Sequence, residues 1–216
     1  MTALLRYQGA LLLRSQRWLA PFVVYAAFVA VGIRPGDPVL DALGYAAAGL
    51  VPQAAWLVRI CVINEPDAAR DCAAAAAGPV RVHAAALLTG LAGALVTGTG
   101  GAAVALLLGA RAGLDPAATV LAGALSVAVC ALTGAAVGAL CSRPVVRRRG
   151  YAVLAGTLGS LLAWVLAPSP ARAAVSALVT AARSGSAPLP LTALAGALLL
   201  AGAAGTAACM VAARRG

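Results

Sequence analysis

The sequence predicts an all-α, polytopic membrane protein with six transmembrane helices. Three observations carry that prediction. Of the 216 residues, 62 % are apolar and 10 % charged, against roughly 45–50 % and about a quarter in soluble domains. The mean hydropathy is +0.96. The arginines, finally, alternate between dense and sparse along successive connections. So much apolar surface needs a non-aqueous medium, which excludes a soluble globular domain and a disordered chain. At about 20 residues per helical span, the whole of 1–216 reads as one transmembrane domain with no room for a second, soluble one.

Residues 1–17 read as an interfacial amphipathic helix. At about 100° per residue, Arg6, Arg14 and Arg17 fall within about 80° of one another, with Leu4, Leu5, Leu11 and Leu12 largely opposite. Such a helix lies along the headgroup boundary with its arginines toward lipid headgroups or a partner. The spans follow at about 18–33, 42–63, 82–110, 116–141, 151–167 and 188–213. The first and fifth are short for ~30 Å of hydrocarbon, and either borrow flanking turns or sit partly re-entrant. Breakers separate the spans: Arg34-Pro-Gly-Asp-Pro, Asn64-Glu-Pro-Asp, Leu114-Asp-Pro and Pro168-Ser-Pro. Ahead of the sixth span, Arg172, Ser176, Thr180 and Arg183 share one arc, the pattern of a short external helix at or dipping into the outer leaflet.

Arginine placement sets the orientation. Arg6, Arg14, Arg17, Arg59, Arg70, Arg81, Arg143, Arg147, Arg148, Arg149, Arg214 and Arg215 fall on one side, and Arg34, Arg111, Arg172 and Arg183 on the other. Both termini are therefore expected in the cytoplasm of a multi-pass protein of the cell membrane, with no cleaved signal peptide. Gly134 and Gly138 form a GxxxG suited to close helix approach. Gly98, Gly100 and Gly101 allow either close approach or a kink in the third span. Gln53, Thr97, Thr99, Ser126 and Thr133 are the sparse polar groups at membrane depth. They serve either interhelical hydrogen bonds or a translocation path.

Composition also removes whole classes of chemistry. Every basic residue is Arg, so the chain lacks the Lys of a phosphate-binding loop and the Lys of Schiff-base cofactors. The lone histidine, His83, opposes His-based metal clusters and a Ser-His-Asp triad. Five cysteines without CxxC spacing read as small buried hydrophobes. No catalytic residue, metal site or resident cofactor is expected on this chain. The net charge of +10 fits anionic headgroups and topology better than nucleic acid, because the arginines flank apolar spans.

The connection after the second span is the most informative. Glu65, Asp67, Arg70 and Asp71 lie within eight residues of Asn64, followed by five alanines and Gly78-Pro79-Val80-Arg81. Ala68–Ala77 is a strong helix former, and Gly78-Pro79 stops it. A rigid charged helix bridging two spans transmits a push from a soluble partner into the bundle.

That pattern resembles the membrane (permease) subunits of type-2 ABC exporters. The shared features are an interfacial N-terminal helix, six spans, and a Glu-bearing turn leading to a Pro-(small)-Arg step. Glu65 matches the family's Glu and Gly78-Pro79-Val80-Arg81 the step, while 168–190 corresponds to its external re-entrant helices. The resemblance implies a separate ABC ATPase chain carrying ATP and Mg, met through Glu65, Asp67, Arg70, Asp71 and Arg81. It also implies a second permease subunit, identical or similar, and export of a hydrophobic or amphipathic cargo by alternating access. The charges around Glu65 are thinner than is usual in the family, and the first external loop is too short for a large external domain.

Two other readings compete. Asp37/Asp41 and Asp67/Asp71 are DxxxD pairs of the sort that hold Mg-diphosphate in membrane prenyltransferases, but the arginine alternation places them on opposite sides. A small non-ABC channel, secondary transporter or assembly scaffold is the other. Ion-coupled carriers place ionisable groups inside spans, whereas here only Arg59 lies within one.

Overall fold

A computed structural model of the chain describes residues 1–110, 113–143, 145–146, 148–184 and 189–215. Arg111, Arg147 and Pro188 of the sequence reading lie outside them. Among the described residues the chain forms nine α-helices: α1 (Thr2–Ser15), α2 (Leu19–Gly32), α3 (Val39–Ile63), α4 (Asp67–Ala77), α5 (Pro79–Leu108), α6 (Pro116–Leu140), α7 (Arg149–Val165), α8 (Pro170–Ser184) and α9 (Leu191–Arg215).

A helix apolar on every side seeks burial on every side, and α3 finds it. Two-thirds (67 %) of its most apolar window is buried, against 17 % for α9. Leu40, Leu43, Leu50, Val51 and Val58 are fully enclosed. Glycines on the neighbours let their backbones come close. A Cβ on Gly134 or Gly138 of α6 would strike the Val51 or Ala55 carbonyl, and one on Gly90 of α5 would strike the Val58 backbone. Gly98 accommodates Leu50 and Val127. The glycine-rich middle of α5 is thus a packing surface, and the helix runs through it unbroken. On the far end of α3, Gly44 receives Val175, Leu178 and Val179 of α8.

The outside of the bundle is apolar. Val31, Val96, Leu107 and Leu199 are 72–80 % exposed, a surface that hydrocarbon solvates and water does not. Among the described residues four helices, α3, α5, α6 and α9, are long and apolar enough to cross a membrane. α7 and α8 pass the same test together as a pair bent by 44°, which describes a broken span or a re-entrant loop and raises the total to five. The short first span of the sequence reading is α2. Its 14 residues rise only about 21 Å at ~1.5 Å each. It is nonetheless anchored: the Tyr25 hydroxyl donates to the Ala46 carbonyl at 3.0 Å, and Phe28 stacks on Tyr45 with centroids 4.2 Å apart.

Several expected boundaries move. α1 stops at Ser15 because Gln16 adopts a left-handed conformation at φ 54°, so Arg17 lies past the helix end. α3 and α5 start three residues earlier than drawn, at Val39 and Pro79. Pro79 begins a helix comfortably because its missing N–H would have had no partner there. A short parallel bridge joins the two neighbouring connections, with Val39 N–H donating to Ala110 O at 3.1 Å and Ala110 N–H to Asp37 O at 2.8 Å.

The glycine contacts give a signed expectation. Gly134→Ala forces methyl against a backbone that cannot move aside and costs about 1–3 kcal/mol. Gly202→Ala, where nothing lies within 4 Å, is neutral or gains up to about 1 kcal/mol from helix propensity. Thermal unfolding of the detergent-solubilised protein separates the two; equal melting would show that α6 does not depend on this approach.

Candidate functional site

The arginine-rich end gathers α1, the end of α3, α4, the start of α5 and the end of α6. α1 lies across it with Leu12 packed into a cluster of Ile60, Cys61, Val62 and Ala86. Arg6, Arg14 and Arg17 are exposed, as an interfacial helix requires. Two polar contacts lock α1 in place. Gln8, 2 % exposed, donates through Nε2 to the Glu65 carboxylate at 3.0 Å. Asn64 Nδ2 donates to the Leu11 carbonyl at 3.0 Å. Partial burial, together with the neighbouring Glu65 carboxylate, raises the Tyr7 phenol above its ordinary pKa.

This placement changes the meaning of Glu65. The sequence reading puts it among residues that meet a soluble partner, but only 4 % of it is exposed and α1 covers it. Its Oε1 is buried without a hydrogen-bond partner. Arg70 likewise turns inward: Nη2 donates to the Val62 carbonyl at 2.7 Å and the Glu65 carbonyl at 3.3 Å. It thereby satisfies carbonyls that the end of α3 leaves open. Asp67 reaches both Arg70, at 3.8 Å, and Arg143 beyond the end of α6, at 3.5 Å. Asp71 and Arg81 are exposed. The five residues therefore divide, two bracing the connection from within and three on its surface.

α4 itself has no buried residue. Gly78, at φ 87°, closes it by donating to the Ala74 carbonyl at 2.8 Å, and α5 starts at the next residue. Only glycine adopts that φ at little cost.

The polar groups at membrane depth part ways. Gln53 Nε2 donates to Thr97 Oγ1 at 2.9 Å, joining α3 to α5. Ser126 and Thr133 are fully buried and bond the carbonyls of Ala122 and Val129 four residues back. Thr99 is exposed on α5 and bonds Val96. Apart from Gln53 Oε1, which is buried without a partner, these groups bond within or between the helices that carry them. The DxxxD pairs lie at opposite ends of α3, about 37 Å long at ~1.5 Å per residue, so they cannot share a substrate.

Sequence reasoning missed one feature here. Two clefts meet at Arg59 and Ala152. One, of about 250 Å³, is lined by Arg17, Arg59, Glu65, Asp67, Arg70 and Arg143. The other, of about 420 Å³, runs between α3 and α7 past Trp56, Leu161 and Trp164. The Trp56–Arg59 spacing hints at a shared helix face, but only folding brings α7 opposite. No family model, curated protein or solved structure matches the chain.

Two measurements test these contacts. Thr97→Val strands the Gln53 amide, and a double-mutant cycle with Gln53→Leu gives a coupling of about 0.5–1.5 kcal/mol in detergent unfolding. Gln8→Leu combined with Asn64→Ala frees α1, so amides of residues 2–15 exchange faster while those of α3 and α6 keep their protection. Unchanged exchange would mean that Leu12 alone holds α1.

Proposed function

We propose that this chain is the membrane-spanning subunit of an ATP-driven exporter of the type-2 ABC kind. In this reading α2, α3, α5, α6, α7 and α9 are the six spans, α8 is the external helix, and the arginine-rich end with both termini faces the cytoplasm. ATP is hydrolysed on a separate chain, and a second permease subunit completes the path for a hydrophobic or amphipathic cargo.

One observation carries the reading: α4 stands free of the core yet is tied to three long helices. Gly78 alone separates it from α5, its Arg70 caps the end of α3, and its Asp67 holds Arg143 at the end of α6. A force applied to α4 is therefore shared by the helices that make the core. Such a lever suits an outside motor better than a channel or scaffold, which needs no exposed helix so connected. Closure of the ATPase pair shifts α4 and biases the bundle between two packed states. Contact falls on Asp71, Arg81 and the exposed alanines of α4, with Glu65 and Arg70 bracing that surface from behind.

A photo-crosslinking amino acid at Ala75, in native membranes, tests this directly. The expected adduct is a chain that azido-ATP also labels. Asp71→Arg with Arg81→Glu lowers its recovery about tenfold, equivalent to ~1.4 kcal/mol, without reducing membrane insertion. Adducts with lipid or with this chain alone would overturn the proposal.

A further inference from the structure

The geometry points to a binding site for one anionic phospholipid of the surrounding bilayer, its phosphate among Arg17, Arg59, Arg70 and Arg143 and an acyl chain between α3 and α7. The site goes beyond the transport reading and requires only that the apolar faces of α3 and α7 lie in a bilayer.

Three features combine. The mouth sets four guanidinium groups against two carboxylates, Glu65 and Asp67. Four positive charges against two negative leave the mouth positive, with Asp67 already shared by Arg70 and Arg143. Planar guanidinium groups match phosphate oxygens in pairs, and basic pockets between membrane helices hold acidic headgroups. The slot adjoins the mouth, since Arg59 and Ala152 line both clefts. Beyond them its walls are mainly apolar: Trp56 from α3, and Val153, Leu161 and Trp164 from α7. From Ala152 to Trp164 α7 rises about 18 Å at ~1.5 Å per residue, close to half of a ~30 Å hydrocarbon core. One leaflet's acyl chain fits that depth with its phosphate at the arginines. Charge at one end and hydrocarbon depth at the other select an anionic amphiphile over a soluble anion or a neutral lipid.

The experiment is native mass spectrometry of the delipidated protein with phosphatidylglycerol and phosphatidylcholine of identical chains. Phosphatidylglycerol is expected to bind at least tenfold more tightly. Arg17→Gln with Arg143→Gln reduces that preference at least fivefold, and Leu161→Trp, which fills the slot, weakens both lipids. Arg183→Gln, exposed on α8 at the opposite end, changes neither. Diazirine-tagged phosphatidylglycerol on the wild-type protein gives a readout that no variant's folding affects, with adducts on Trp56, Leu161 and Trp164. Equal binding of the two lipids, a preference that survives the double substitution, adducts spread evenly over the apolar surface, or adducts excluded by a second copy seated on α7 would each overturn the assignment.

Discussion

The close approach of α5 and α6 to α3 is the constraint on which the rest of the molecule depends. Lipid removes the hydrophobic drive that would gather these helices in water, because the tails are as apolar as the side chains. What remains is contact, and contact is densest where backbones nearly touch. Gly90 against Val58, Gly134 against Val51 and Gly138 against Ala55 provide that density. With α3 gripped on both sides, its ends become fixed points, and the surface helices are organised around them. α8 seats Leu178 at one end by Gly44; α1 and α4 are fastened at the other.

Polarity is used sparingly and in two ways. Inside the bundle, Ser126 and Thr133 return their hydroxyls to their own helices, while Gln53 bonds Thr97 and Tyr25 bonds the Ala46 carbonyl across helix interfaces. Each exception matters, because a stranded polar group has no water to turn to. At the arginine-rich end the polar groups form a connected set: Gln8, Glu65, Arg70, Asp67 and Arg143 link α1, α3, α4 and the end of α6. An element fastened at several points moves its neighbours when it moves. That property is what the proposed transport reading asks of α4.

α7 stands apart from this scheme. It leans on α6 through Gly159 and Val137 but leaves a slot beside α3 that adjoins the arginine-lined cleft. The gap is chemically graded, from arginines at the mouth to tryptophans at depth. The same grading describes half of a bilayer, which is the basis of the lipid site proposed above.

Much of the architecture was legible in the residues. Apolar runs, breakers and the alanine-rich stretch before Gly78-Pro79 locate the helices to within a few residues, because hydropathy and backbone preference act locally. Span number was less secure: α2 and α7 are apolar but short, and length alone does not say whether a helix crosses. The inward placement of Glu65 and Arg70 was not legible, for a related reason. Charge predicts exposure on average, yet Gln8 and Leu11 of α1, more than fifty residues away, bond Glu65 and its neighbour Asn64 and decide that Glu65 is covered.

By itself, then, the sequence determined that this chain is helical, apolar on its outer face and basic at one end, because those properties sum over neighbouring residues. Only the tertiary structure decided which glycines carry the packing, which charges face inward and where a cleft opens between α3 and α7, because those follow from contacts between segments far apart in the chain.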